Sequence, residues 1–358
     1  MDRFFAGPAG YPVPADMGLF KFLMMVTASA HLVFFYFLFG AALIGLFHFF
    51  RQNSGGVSRQ IVVSTTRLIP ALFTFTVVTA LLPLFLTQVV YGQALYPAVI
   101  AHGTQWLVAG VLALALYVYL RICSGRSDTS GQPIWIALAL TTVIAGWFSW
   151  LVTNTSSLML SPSAVQSVLL GEAAGPYSHG LSIFLPSWFW FISHSLMGGF
   201  LLINTVAMFN EQTEDRDAVM EHGFYGFTVS AVLAILLMFW WLLMLPQTSY
   251  DRIIDGHIFL IYITSVVFAV PIIVLANKIH EKGIFVAGLV PAFFIIVMQQ
   301  WMAMIATDDA LIPGLINHDQ ITVQPDYGNL FLFVFLLVVG IWYATHLAGQ
   351  YVKFKKSN

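Results

Sequence analysis

"FLPSWFWFISHSLMGGFLLINTVAMF", residues 184–209, contains no Asp, Glu, Lys or Arg. As a helix rising about 1.5 Å per residue it extends about 39 Å, more than the roughly 30 Å of hydrocarbon in a bilayer. Its one histidine, His194, sits among aromatic and small residues with no carboxylate nearby. The same character runs through all 358 residues: 59% are hydrophobic, 8% are charged, and mean hydropathy is +0.85. So few charges cannot cover a water-soluble domain of this size, and the bulk of the chain must face lipid.

Nine stretches have the length and apolarity to cross a membrane: 17–50, 67–92, 97–121, 133–155, 184–209, 223–245, 257–279, 284–305 and 328–350. The predicted fold class is therefore an all-α integral membrane protein with nine transmembrane helices. Short cytoplasmic loops collect Lys and Arg. With the N-terminus outside, Arg51, Arg59, Arg67, Arg121, Arg126, Arg216, Lys278, Lys282, Lys353, Lys355 and Lys356 fall inside, and of the 14 cations only Arg3, Lys21 and Arg252 fall outside. That asymmetry predicts an outer N-terminus and a cytoplasmic C-terminus. The first stretch is too long for a signal-peptide core and has no basic n-region, so it is expected to remain as an uncleaved span.

Cys123 is the single cysteine. It excludes an intramolecular disulfide, c-type haem attachment and iron–sulfur ligation within the chain, so a redox centre would have to hang on histidine or methionine. The cations are scattered at loop ends, and nothing resembles a phosphate loop or a nucleic-acid patch.

Two stretches share an order of features. "FTVVTALLPLFLTQVVYGQALYPAVIAHG" (75–103) leads to His102, and "FTVSAVLAILLMFWWLLMLPQTSYDRIIDGH" (227–257) leads to His257. Upstream of each lies a histidine followed by a small-residue helix: His31 in "ASAHLVFFYFLFGAALIGLF" and His194 in "FISHSLMGGFLLINTVAMF". This order predicts an outer segment (1–16), a first four-helix repeat (17–160), an outer loop (161–183), a second repeat (184–305), an outer loop (306–327), and a ninth helix with a cytoplasmic tail (328–358). Four spans per repeat give both copies the same orientation. All four histidines are then expected in the outer half of the membrane.

Ionisable groups in a bilayer are costly and mark functional sites. A lone intramembrane histidine can also be a neutral side chain hydrogen-bonded to a neighbouring helix, and that reading stays open for each taken singly. Imidazoles surrounded by Phe, Trp, Met and Gly suit axial ligation of haem iron, and small residues such as Gly198, Ala28 and Ala30 would let a macrocycle lie against a helix. Structural zinc wants four tightly spaced ligands, often including Cys. The pattern favours haem b, with two haems held by His31 with His102 and by His194 with His257. Lys21 and Arg252, outer cations near span ends, suit haem propionates, with interfacial snorkelling as the competing role. His48, His222, His280 and His346 fall near the inner interface and His179 and His318 in outer loops, where polar residues are ordinary.

The order and spacing of these residues resemble subunit I of the cytochrome bd quinol oxidases. That family has nine spans, an outer N-terminus, a histidine in the first span and another early in the fifth. "WLVTNTSSLMLSP" (150–162) resembles the family's Asn-Gly-Trp-Met-x-x-Pro segment, keeping Asn154, Met159 and Pro162. The resemblance implies that His194 ligates the low-spin haem b, that His31 matches the haem histidine of the first span, and that the chain resides in a prokaryotic cytoplasmic membrane.

The departures carry as much weight. His102 stands where the family has an acid in the third span. "FFIIVMQQWMAM" keeps Gln299 and Trp301 of the family's Gly-Arg-Gln-Pro-Trp motif but puts an aliphatic residue at the acid's place. His257 is offered where the family uses methionine, and the long quinol-binding loop is shortened to "PQTSYDRIIDG". Oxygen reduction consumes protons that Asp and Glu usually relay across the membrane, and all 16 acidic residues here fall in predicted loops or span ends. Histidine on both faces of an iron also leaves no open position for oxygen.

The expected function is therefore electron transfer between the quinone pool and a periplasmic redox partner, such as a multihaem cytochrome c or an iron–sulfur protein, without oxygen reduction. Quinone candidates are Gln88, Tyr91 and Gln93 outside and the surroundings of His346 inside. Two other readings compete: a bd-type terminal oxidase subunit with unfamiliar ligands, and a non-haem transporter or structural subunit.

Overall fold

The computed structural model describes residues 16–51, 56–124, 134–160, 181–210 and 215–311, together with positions 328, 331, 335, 339 and 342, each helical and exposed. The rest of the predicted ninth span lies outside the described residues, as do His179, His318, His346, Pro162 and the side chains of Gln93 and Cys123.

The helices, in chain order, are α1 (Met17–Phe49), α2 (Gly56–Ala101), α3 (Gly103–Ser124), α4 (Ile134–Met159), α5 (Leu181–Phe209), α6 (Arg216–Leu243), the short α7 (Gln247–Asp255), α8 (Ile258–Ile279) and α9 (Lys282–Leu311). All but α7 are long and apolar enough to cross a membrane, making eight candidate spans among the described residues. Helices suit a lipid environment because each backbone N–H and C=O finds its partner within the segment. Four buried hydroxyls inside them behave likewise: Ser29, Thr65, Thr141 and Ser157 each donate to the carbonyl one turn back, at 2.7–2.9 Å.

Helix α1 packs against α2, α4, α5 and α9, α5 packs also on α6, and α8 lies along α9. Of the spans, α5 is the most buried and α3 the least; α3 leaves Leu107, Val111 and Leu114 exposed as a lipid-facing surface. The α1–α5 crossing is backbone against backbone. A Cβ on Gly40 would overlap the Ser195 carbonyl oxygen, and one on Gly199 would overlap the backbone of Gly40. Gly198 abuts Tyr36, where a Cβ would come within 3.0 Å of the tyrosine Cβ. The small residues beside His194 are thus taken up by helix packing, the general use of small residues at membrane helix contacts.

Several boundaries differ from those expected. α2 begins at Gly56 rather than 67 because Ile61 and Val62 are buried and carry the helix beyond its most apolar stretch. It breaks at Tyr91, whose φ of −128° and ψ of 19° are not helical. The third span then starts at Gly103 rather than 97, which leaves His102 in the turn between α2 and α3. "QTSYDRIID", read as a shortened loop, folds as α7. α9 runs on to Leu311 and carries Asp308 and Asp309 on its last turn.

Gly40→Ala is expected to destabilise the protein by about 1–3 kcal/mol through overpacking against α5. Gly110→Ala on α3, where a new Cβ meets nothing within 4 Å, is expected to leave the thermal midpoint unchanged or slightly raised. Thermal unfolding of the purified variants checks both.

Candidate functional site

His194 lies near the middle of α5 and is wholly buried. Its Nδ1–H donates to the Trp190 carbonyl one turn back at 2.8 Å, which leaves Nε2 as an acceptor. Tyr262, on α8 and also wholly buried, donates its hydroxyl to that Nε2 at 3.0 Å. The Trp190 indole N–H in turn donates to the Tyr262 oxygen at 3.3 Å. Trp190, His194 and Tyr262 therefore close a hydrogen-bonded circuit in which every donor has an acceptor, as buried polar groups require. The Tyr36 ring stacks on the imidazole with centroids 5.6 Å apart, and its hydroxyl donates to Gln299 on α9 at 2.9 Å.

As an axial donor to a haem, His194 fits in two respects: its tautomer is fixed with Nε2 facing inward, and the surrounding shell is aromatic and apolar. It does not fit in a third, because the Tyr262 hydroxyl stands directly before Nε2. The single observation in the sequence that could have pointed to Tyr262 is a phenol in an otherwise apolar span.

The other expected ligands are not brought together. His31, half-buried on α1, faces Thr79 on α2 with Nδ1 3.4 Å from the hydroxyl oxygen. His102 is buried in the α2–α3 turn, where Nδ1–H donates to the Ala98 carbonyl at 3.2 Å and Nε2 accepts from the Asn154 amide of α4 at 3.0 Å. The stretch of α2 from Thr79 to the break at Tyr91, about 18 Å of helix, separates the contact made by His31 from the turn that holds His102. Asn154, singled out in the sequence, thus serves as the partner of His102.

His257 does not face His194. It precedes α8 in a left-handed backbone conformation with φ 56°, is exposed, and lines a groove between α8 and α9 with Leu260, Phe268 and Phe294. Tyr262, more than one helical turn further along α8, occupies the place expected of it.

Lys21 and Arg252 meet carboxylates of the protein. The Lys21 ammonium lies 2.9 Å from Asp308, whose other oxygen accepts the Tyr91 hydroxyl at 2.7 Å. Arg252, on α7, pairs with Asp309 at 2.6 Å. Tyr91, a quinone candidate by sequence, is thereby engaged at the break in α2. The extension of α9 beyond its expected end is what places both acids on a helix facing α1, α2 and α7. Among the described residues no group of three or more His, Cys, Asp and Glu side chains is arranged to hold a metal ion.

These features define a multi-pass helical membrane protein with a buried histidine circuit at its centre and a carboxylate network at the Lys21 end. No family model matches the sequence, and no curated protein sequence matches it. The fold is similar to that of the bd oxidase from Geobacillus thermodenitrificans, with a TM-score of 0.67 over 93% of this chain and 98% of that one, at 12% identity. At that identity the likeness is one of fold, and the chain has a bd-oxidase-like helical fold.

Asp308 is nearly buried and Lys21 largely so, and removing one partner of such a pair leaves the other uncompensated. Asp308→Asn is expected to cost on the order of 3 kcal/mol, whereas Arg252→Ala, at a more exposed pair, costs under about 1 kcal/mol; thermal unfolding separates the two.

Burial pulls the His102 imidazole below its ordinary value of 6.5, partly offset by its bond to Ala98. The unfolded chain therefore holds this proton more tightly than the folded one. The contribution of neutral His102 is complete above that value and is lost as the pH falls below it. A thermal-midpoint profile between about pH 5 and 6.5 is expected to be flatter for His102→Gln than for the unmodified protein.

Proposed function

We propose that the protein is a bd-like membrane subunit that binds haem b through His194 and passes electrons between the quinone pool and a redox partner outside the membrane, without reducing oxygen. The observation that carries this reading is the state of His194: wholly buried in a bd-oxidase-like bundle, within an aromatic shell, its Nδ1–H committed to Trp190 and its Nε2 directed inward. Haem b, when bound, supplies one-electron transfer through its iron. The chain's part is to present the imidazole, exclude water and surround it with Tyr36, Trp190 and Tyr262. Tyr262, which holds Nε2 in the arrangement described, is the side chain that binding must displace.

His31, His102 and His257 complete the ligand set proposed for two haems, behind His194 in order, since neither expected pair is in contact. Lys21 and Arg252 are available to propionates only in competition with Asp308 and Asp309. Two four-helix units, 17–160 and 184–305, belong to the same reading and are supported by the matching pairs that α1 forms with α2 and α5 with α6. So does placement in a prokaryotic cytoplasmic membrane with the N-terminus outside, next to a multihaem cytochrome c or iron–sulfur partner.

Electron transfer is favoured over oxygen reduction by where the acids lie. Every carboxylate among the described residues falls at or beyond the end of a span, and the buried one, Asp308, is held by Lys21 and Tyr91. The fold likeness itself favours the second reading, a terminal oxidase subunit.

Protein purified with haem supply intact is expected to give low-spin b-type bands that carbon monoxide does not shift. The pyridine haemochrome assay is expected to lose haem in His194→Ala, while the same assay on His31→Ala, His102→Ala and His257→Ala sets the number of haems and their ligands. A carbon monoxide shift would replace this reading with the oxidase, and absence of a Soret band would remove haem altogether.

A further inference from the structure

At the end of the bundle opposite Lys21, two histidines from different helices meet. His48, on the last turn of α1, and His222, in the second turn of α6, place their Nε2 atoms 2.9 Å apart with the rings nearly perpendicular, at 84°. On its other side, the His48 Nδ1 lies 3.0 Å from the Ser58 hydroxyl of α2. We propose that His48 and His222 form a two-imidazole site for a divalent transition-metal ion of the zinc, cobalt or nickel type, which would tie α1 to α6.

Two neutral imidazoles in this arrangement hold only one hydrogen between their Nε2 atoms. With the Ser58 oxygen accepting from His48 Nδ1–H, the His48 Nε2 carries a lone pair, as a metal ligand needs, and Ser58 acts as the outer partner that fixes the ring. His222 becomes a second ligand by moving its one proton from Nε2 to Nδ1, so binding releases no net proton. Metal–nitrogen bonds of about 2.0–2.1 Å at a tetrahedral angle require about 3.3 Å between the two nitrogens, a few tenths of an ångström more than the present separation.

Imidazole pairs suit borderline metals of this class, and water fills the remaining positions, making the site exchangeable rather than structural. His48 is almost completely buried, while His222 is half-buried and leaves a way in from the end of the bundle. The nearby cation Arg51 is held over the Phe47 ring, 4.6 Å from its centroid. Neither histidine belongs to the circuit around His194, so this proposal and the haem reading stand or fall separately.

Untagged full-length protein titrated with Co2+, followed by its ligand-field absorption and by thermal unfolding, tests the site. One saturable equivalent per chain with a raised thermal midpoint is expected. Both signals are expected to disappear in His48→Ala and in His222→Ala and to persist in His280→Ala, which removes an exposed histidine of the same end. His48→Gln and His222→Gln, which retain hydrogen-bonding groups, serve if the alanine variants do not fold. Absence of saturable uptake, or uptake that survives loss of either histidine, overturns the proposal.

Discussion

Where α1 crosses α5, backbone meets backbone, and much of the rest is arranged around that contact. Gly40 and Gly199 have no side chain to hold the helices apart, and Gly198 accepts the flank of Tyr36. Lipid tails offer no hydrophobic gain for bringing apolar helices together, so close van der Waals approach has to supply the attraction. The approach lays Tyr36 across the imidazole of His194 and lets the same tyrosine reach Gln299 on α9. A larger residue at the crossing would part α1 from α5 and move Tyr36 away from His194.

Inside such a bundle an unpartnered polar group is expensive, because no water is at hand to satisfy it. Three groups of buried polar residues are joined accordingly: Trp190, His194 and Tyr262; Tyr36 and Gln299; His102 and Asn154. Each set links two or more helices and so fixes their register. The set around His194 also gives a neutral histidine a stable place without any cofactor, which is why the displacement of Tyr262 is the step on which the haem reading depends.

The Lys21 end follows a different rule. Charges gather there because the start of α1, the last turn of α9 and the short helix α7 leave the apolar region, and Asp308 and Asp309 answer Lys21 and Arg252 across three elements. The network closes the break in α2 through the Tyr91 hydroxyl. These pairs bind the ends of the bundle together and occupy cations that would otherwise be open to an anionic ligand.

The sequence alone determined the membrane class and most spans, because a run such as 184–209 leaves lipid as its only suitable surrounding and lipid leaves helix as its only suitable backbone. It also marked His194 and Asn154, since a polar side chain in an apolar run stands out by itself. Partners were decided only by the tertiary structure. Whether His194 faces His257 or Tyr262 turns on the rotation of α8 and on the left-handed residue that precedes it. The roles of Lys21 and Arg252 turn on the extension to Leu311 of α9, whose final residues are too polar to read as part of a span. Hydropathy records how well each segment tolerates lipid, whereas contacts between helices depend on azimuth and depth, which only packing fixes.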